Sequence, residues 1–388
     1  MKKTSVFVIF CIILSIILSG CLGSNEPERM VYALGMGLDY QDGKYVTYLQ
    51  IMNLGELART DIGSGGSAPE QAHADIGRAA GESINDAIFN LYHSTDRRIF
   101  WGHLSYVVLT EAAIEANGLK NTIDFLDRYR ETRYRVWIYT TREPISRILK
   151  TVPLLNSSVA LSKLSDPKPN FRQSSFIQPI DLRRLIIHLD EPGYEAVIPT
   201  VTVTDNWETM LEKRETEALE GVTIVSRDKL KGYIYKDHIV GLRWLADKTN
   251  RDNITIKKNG KVAASFVLED IKPKITPVVQ PDQTVKFRID IKLNSRLNIM
   301  EQDVKREFIK KALQEKVAAE VKETYVTALE KNADIYRFSE VLYRKDYQTW
   351  KRVAKNGRIP LSEDSIAQIN VKVKAKDIGK QHLSPTLK

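Results

Sequence analysis

The apolar positions of residues 30–150 predict strands and helices in alternation. Val31 to Leu38 and Tyr45 to Met52 are apolar or alternating runs typical of strands, and Asp42-Gly43 between them is a strong hairpin signal. Glu70 to Tyr92 carries apolar residues at three- and four-residue steps, which predicts an amphipathic helix. The other predicted elements are a β-prone run at Leu104 to Leu109, helices at Glu111 to Ala116 and Thr122 to Tyr129, and a strand at Tyr134 to Tyr139.

Residues 151–175 are rich in proline and serine, which predicts a connector with one or two helical turns. Asp181 to Leu189 then returns to a helical pattern. Ala196 to Thr204 is typical of a strand, and Pro199 within it predicts a position at a sheet edge, since proline cannot donate to a ladder.

The composition changes at Asp205, where strand-like segments begin to dominate. Gly221 to Val225 and Lys231 to Trp244 are predicted as strands, and residues 253–297 as an antiparallel meander with turns at Asn259-Gly260 and at 280–283. Glu301 to about Lys331 predicts one long helix. A shorter helix at Phe338 to Arg344 and a strand at Ile369 to Lys374 follow.

Together these elements predict a mixed α/β fold (α+β in organisation) with several domains, mixed sheets, an antiparallel meander and a long C-terminal helix. The predicted divisions are an N-terminal mixed α/β domain with its connector at 30–204, a small β-containing middle domain at 205–252, and a meander-plus-helix domain at 253–388. The sequence shows no internal repeat, which argues against a solenoid.

The first residues follow the pattern of an export signal. Lys2 and Lys3 precede an uncharged apolar run of 13 residues from Val6 to Leu18, which is shorter than the roughly 20 residues that a membrane span requires. Leu18-Ser19-Gly20-Cys21 then places two small residues before a cysteine, and this resembles the lipobox of bacterial lipoproteins. That resemblance implies that residues 1–20 are a signal peptide, that Cys21 carries a diacylglyceryl thioether, and that residues 21–29 form a tether.

The amino-acid composition limits the classes of protein to which this chain can belong. The chain has 388 residues, of which 43% are hydrophobic and 28% charged, and its only cysteines are Cys11 and Cys21. Neither a disulfide framework nor a cysteine-ligated zinc site is therefore expected in the main body. The net charge is +9, but no basic run with interleaved aromatic residues indicates a nucleic-acid site, so the excess fits a basic surface beside anionic lipid or an ordinary solvated surface.

The candidate chemistry in the sequence is sparse. None of the six histidines has the short spacing of a metal site, and His93-Ser94-Thr95-Asp96 lacks the surroundings of a catalytic serine, so we expect no metal, no cofactor and no catalytic residue. His103 is interpreted as a buried polar anchor in preference to a partner contact. Gly35-Met36-Gly37 is interpreted as close strand packing, because it lacks the third glycine of a dinucleotide fingerprint. The aromatic sets Phe100-Trp101 and Tyr233, Tyr235 and Trp244 are interpreted as core residues.

Three stretches, in this order, resemble the Ger(x)C family, the lipoprotein C-subunits of spore germinant receptors. They are Arg97-Arg98-Ile99-Phe100-Trp101-Gly102-His103-Leu104; Leu219 to Val225 with Lys229-Leu230-Lys231-Gly232 and Gly241-Leu242-Arg243-Trp244-Leu245; and Ala333-Asp334-Ile335-Tyr336 with Tyr347 and Trp350-Lys351. The sequence departs from the family where Val225-Ser226 stands in place of Phe-Lys and where Lys236-Asp237-His238 is less acidic than usual.

The resemblance implies a three-domain mixed α/β ectodomain, tethered by lipid to the outer face of the inner spore membrane. There it would work without catalysis, beside integral membrane A- and B-type subunits, in the response to nutrient germinants. The alternative is the substrate-binding lipoprotein of a membrane transporter. That alternative predicts two similar α/β lobes joined at a hinge with a ligand cleft between them.

Overall fold

The computed structural model describes residues 29–52, 74–210, 212–227, 229–246 and 248–375. Its elements form two sheets with helices packed against them. Leu18, Ser19, Gly20 and Cys21 lie outside the described residues, as do residues 21–28 of the predicted tether and the first part of the segment predicted as helix from Glu70.

The first hairpin forms where the turn signal predicts it. β1 (Met30–Gln41) pairs antiparallel with β2 (Lys44–Met52), and Asp42 and Gly43 take φ angles of +50° and +76°, the left-handed region that this kind of turn requires. Gly35 in β1 has no room for a side chain, since a Cβ there would lie 2.3 Å from the ring of Tyr106. The interpretation of Gly35-Met36-Gly37 as close strand packing is confirmed.

Ten strands among the described residues make up the first sheet, which is mixed. Its main order is β10-β9-β8-β6-β5-β1-β2-β3, in which β1, β5, β6 and β8 run parallel, while β4 pairs with β1 and β7 with β6. The remaining strands are β3 (Asp75–Gly81), β4 (Arg98–Phe100), β5 (Tyr106–Thr110), β6 (Trp137–Thr141), β7 (Ile180–Asp181), β8 (Ala196–Glu208), β9 (Lys213–Ser226) and β10 (Lys229–Tyr235).

Helices cover this sheet. They are α1 (Ile84–Tyr92), α2 (Glu111–Glu115), α3 (Gly118–Arg128), α4 (Ile145–Leu149), α5 (Pro167–Gln173) and α6 (Leu182–Asp190), with short 3-10 turns at Leu154–Asn156 and Val159–Leu161. Ser83 caps α1 by accepting from the backbone N–H of Asp86, and Asp181 caps α6 in the same way through Arg184.

Two predictions in this region are wrong. The described part of the helix predicted from Glu70 is split, because Asp75–Gly81 forms edge strand β3 against β2 and the helix begins only at Ile84. The small apolar residues of β3 have a helical spacing only by chance. The segment forms a strand because the backbone of β2 provides hydrogen-bond partners for it. β8 is also not an edge strand: Pro199 is tolerated because pairing with β6 involves only Thr200 and Val201, beyond the proline.

The second sheet is the predicted meander with one added strand. β11 (Arg251–Lys258), β12 (Lys261–Val279) and β13 (Val285–Met300) are antiparallel, and β14 (Ile366–Ala375) pairs parallel with β13. A bulge between Glu269 and Lys272, where Asp270 has a φ of +54°, lets two predicted strands continue as β12. The strand predicted through Trp244 instead ends at Tyr235, and a 3-10 turn at Lys236–His238 and α7 (Leu242–Leu245) follow.

The long predicted helix is α8 (Arg306–Glu330), which packs along β14 and β11. Its buried face repeats at three- and four-residue steps and carries Ile309, Leu313, Val317, Val321, Thr324, Tyr325 and Ala328. Two shorter helices, α9 (Phe338–Lys345) and α10 (Tyr347–Val353), follow it. The mixed α/β class, the meander and the long helix are therefore confirmed.

The division at residues 204–205 falls inside β8, and β9 and β10 of the predicted middle segment complete the first sheet. The core also spans this region, since Val222, Ile224 and Ile234 of the first sheet pack with the interior of the second. The predicted three-part division of the ectodomain stays a prediction.

Candidate functional site at the junction of the two sheets

A buried carboxylate links the first sheet to the segments that follow α8 and α10. Glu195, one residue before β8, has a fully buried side chain, and its Oε1 lies 3.2 Å from Nη1 of Arg358 and 3.8 Å from Nζ of Lys231. Its Oε2 accepts a hydrogen bond of 2.6 Å from the backbone N–H of Asp334. Burial raises the pKa of Glu195 above its usual value, while the Arg358 guanidinium and the Asp334 N–H oppose that shift. One side chain therefore holds groups from β10, from the segment after α8 and from the loop after α10.

Asp334, in the family-like stretch after α8, orders the chain on the other side of this junction. It is buried, and its two carboxylate oxygens accept from the backbone N–H groups of Phe338 (2.8 Å) and Ser339 (2.7 Å), so it satisfies the first turn of α9. Burial raises its pKa, and the hydrogen bonds from the Ser339 and Phe338 backbone act against the increase. The third family-like stretch therefore caps the N-terminus of α9 and also contacts Glu195.

The two backbones meet closely beside this cluster. Gly193 has a φ of +69°, and a Cβ there would lie 2.6 Å from the backbone oxygen of Gly357. Tyr194 packs under the guanidinium of Arg337 at 5.6 Å, and Arg344 forms an ion pair with Glu191. The contacts across the junction are thus both polar and tightly packed.

Beside the junction lies a cavity of about 330 Å³ between α6, the start of β8 and α7. His188 stacks on Tyr194 with ring centres 4.1 Å apart, and its Nε2 is 3.0 Å from the Tyr194 hydroxyl. Ile187 and Leu242 contribute apolar walls. The polar groups at this cavity, His188 and Tyr194, are engaged with each other.

The second family-like stretch packs α7 onto α8. Trp244 is completely buried, and its Nε1 donates to Glu320 Oε2 at 2.7 Å. Arg243 lies between Asp252 and Glu320, 3.1 Å from each carboxylate. The interpretation of Trp244 as a core residue is confirmed, whereas Tyr235 of the same predicted set is 45% exposed.

The first family-like stretch contributes to an aromatic cluster beside the first sheet. Trp101 is buried, its Nε1 donates to the Tyr92 hydroxyl at 2.8 Å, and its ring packs edge-on against Phe125. His103 is exposed and touches Tyr32 edge to face at 5.0 Å, so the expectation of a buried histidine anchor is wrong. Gly102 turns the chain between Trp101 and His103, which sends the histidine outward. Partial desolvation of the His103 ring by Tyr32 and Phe100, together with the charge of Arg133, lowers the pKa of His103 below its usual value.

The far end of the β8–β9 hairpin is exposed and carries apolar side chains. Pairing with β6 stops at Val201, and β8 and β9 continue as a two-stranded arm whose described tip residues, 205–210 and 212–213, are all exposed. We call these residues the arm tip. It carries Trp207 and Met210, and next to it Arg214 Nη2 donates to the Pro153 carbonyl at 2.9 Å. Sequence analysis did not identify this surface, since its apolar residues are separated by charged ones.

The described residues contain no group of three or more histidine, cysteine, aspartate or glutamate side chains that could hold a metal ion. Within the same part of the chain, no helix is both long and apolar enough to cross a membrane.

Two protein-family models together match most of the chain. Residues 23–203 match the model described as "Spore germination protein N-terminal domain", and residues 220–379 match "Spore germination B3/GerAC like, C-terminal". Spore germination protein KC of Bacillus subtilis (strain 168) is 24% identical over 377 residues, which is 91% of this chain and 90% of that protein.

The crystal structure of the GerBC protein is similar with a TM-score of 0.55 and 16% identity, over 88% of this chain and 97% of that one, which supports the fold. The two sheets of the present chain differ in strand number and topology, so its described residues lack the two similar lobes that the transporter alternative predicts. Both matched domains follow each other in the expected order, and the chain belongs to the Ger(x)C family of spore germination proteins.

Proposed function

We propose that this chain is the lipid-anchored, non-catalytic C-subunit of a spore germinant receptor, assembling with integral membrane A- and B-type subunits to respond to nutrients. The observation that carries the proposal is the match of both germination-protein domains along residues 23–203 and 220–379. The lipobox-like Leu18-Ser19-Gly20-Cys21 supplies the anchor, which would hold the folded units at the outer face of the inner spore membrane.

Co-purification tests the assembly. A C-terminally tagged chain expressed in its own host is recovered from detergent-solubilised spore membranes, and the accompanying proteins are identified by mass spectrometry. We expect integral A- and B-type subunits in the eluate. Recovery of transporter permease subunits in their place would support the alternative and contradict the receptor assignment.

The anchor gives a separate prediction. Cys21→Ala should leave an unprocessed precursor without lipid and should weaken germination, because stable attachment requires more than one acyl chain and the variant has none. Intact-mass spectrometry of the mature protein measures the modification. Cys11→Ala is the matched control, since this cysteine lies inside the apolar run and should not affect lipidation. An unmodified Cys21 in the mature wild-type protein would contradict the anchor.

The arm tip is the surface that we expect to face the partner subunits. Trp207 is 56% exposed and Met210 fully exposed, so replacing both with serine should change the free energy of unfolding by about 0.5 kcal/mol or less. The same change should reduce co-purification of the partners, because tryptophan in an interface contributes strongly to binding. Phe89→Ser, at a half-exposed aromatic on α1, is the control. Unchanged co-purification for Trp207→Ser/Met210→Ser would exclude the arm tip as a contact.

A further inference from the structure

A second cavity at the junction is lined by positive charge. It is open, with a volume of about 860 Å³, and lies between the start of β10, the end of α8 and the loop after α10. Its charged lining residues are Lys229, Lys231, Lys355 and Arg358, and none of the described residues that line it is an aspartate or a glutamate. Asn332, Asn356 and Ser362 add neutral polar groups.

Local backbone geometry sets two of these cations side by side. Lys355 and Arg358 form an antiparallel bridge, and Asn356 and Gly357 between them have φ angles of +50° and +79°. Directly opposite residues of such a pair present their side chains on the same face. The tight turn therefore holds Lys355 next to Arg358, across the cavity from the two lysines of β10.

The charges within the cavity are not balanced by its surroundings. Glu195 lies behind Arg358 and Lys231 and pairs with both, and the buried Asp334 carboxylate also interacts with Arg358. The four lining cations therefore outnumber the two carboxylates of the described residues that lie next to them. Lys229 and Lys355 are both exposed. Arg358 is held in place by Glu195, 3.2 Å from its Nη1, and by the Asn332 carbonyl, to which its Nη2 donates at 2.9 Å, so its charge stays at the cavity wall.

Desolvation and the neighbouring Arg358 charge lower the pKa of Lys231 below its usual value, and a bound anion would oppose that effect. Several cations line one cavity here. Such a cavity is suited to a ligand that carries more than one negative charge.

We propose that this cavity binds a multivalent oxyanion of the phosphate type, held between Lys229 and Lys231 on one side and Lys355 and Arg358 on the other. Such a ligand would bridge the first sheet and the C-terminal loop, so its binding would stabilise the junction by mass action. The proposal rests on the cavity's own residues and holds whether or not the chain is a receptor subunit. The same phosphate chemistry occurs in free phosphate and in the headgroups of anionic lipids.

The test is a thermal-shift titration of the full-length chain in a non-ionic detergent. One arm adds inorganic phosphate, with sodium chloride adjusted to keep the ionic strength constant, and the other dopes the micelles with phosphatidylglycerol or phosphatidylcholine. We expect a saturable rise in the unfolding temperature with phosphate, and an apparent affinity at least tenfold weaker in Lys229→Gln/Lys355→Gln. Both lysines are exposed, so this variant should fold.

Lys310→Gln/Lys372→Gln removes the same charge from exposed sites on α8 and β14 and should bind like the wild type. A response to phosphatidylglycerol alone that the cavity variant loses would identify the lipid headgroup as the source of the phosphate. The proposal is overturned if neither arm gives a saturable shift, or if the cavity variant and the control respond alike.

Discussion

Glu195→Ala should lower the free energy of unfolding by about 3–5 kcal/mol, the range measured when one partner of a buried ion pair is removed. The wild-type carboxylate is fully buried and pairs with Arg358 and Lys231 while accepting from the Asp334 backbone. Its loss leaves two partly buried cations and one buried N–H without their partner. Denaturant unfolding of the full-length chain, followed by tryptophan fluorescence, measures the change.

Asp205→Ala is the matched control for that measurement. Asp205 also pairs with a lysine, Lys213, at 3.0 Å, but both side chains are more than 60% exposed. Exposed pairs contribute about 0–1 kcal/mol because water and salt screen the charges. Equal losses for Glu195→Ala and Asp205→Ala would show that the junction cluster does not hold the two sheets together.

Trp244→Ala should lower the free energy of unfolding by about 3–5 kcal/mol, the usual loss when a buried aromatic residue is truncated to alanine. The ring is fully buried between α7 and α8, lies 4.4 Å from the Arg243 guanidinium, and donates to Glu320. Truncation leaves a cavity and removes one of the two hydrogen bonds that Glu320 Oε2 accepts, since the bond from Arg243 remains. Trp244→Phe retains most of the apolar volume and loses only the hydrogen bond, so we expect about 1–3 kcal/mol for it.

Trp207→Ala is the control, since the same residue type is removed from the exposed arm tip, where about 0.5 kcal/mol or less is expected. Thermal and denaturant unfolding of the three variants give the comparison. If Trp244→Ala were no worse than Trp207→Ala, the second family-like stretch would not be the packing element that we describe.

Elements whose signals are local could be predicted from the amino-acid sequence alone. The turn at Asp42-Gly43 formed as expected because its backbone angles suit those residues, and α8 formed because its apolar face repeats at helical spacing. The meander, the mixed α/β class and the burial of Trp101 and Trp244 followed from the same kind of pattern. The family resemblance also came from short stretches, each of which is now seen to contribute to packing.

Contacts between segments that are distant along the chain depend on the folded arrangement and could not be predicted. β3 is a strand because β2 offers it a ladder, and β8 accepts Pro199 inside the sheet because β6 pairs only beyond it. His103 is exposed because the chain turns outward after Trp101. These outcomes depend on partners that a local pattern does not contain.

The junction is the clearest case. Glu195 and Asp334 are 139 residues apart, and Lys231 and Arg358 come from two further segments, so no spacing along the chain marks them as a set. Each is an ordinary charged residue when considered alone. The cluster exists because the segments after α8 and α10 pack against the first sheet, and burial makes a pairing of these charges necessary, since an unpaired charge in that position would be strongly unfavourable.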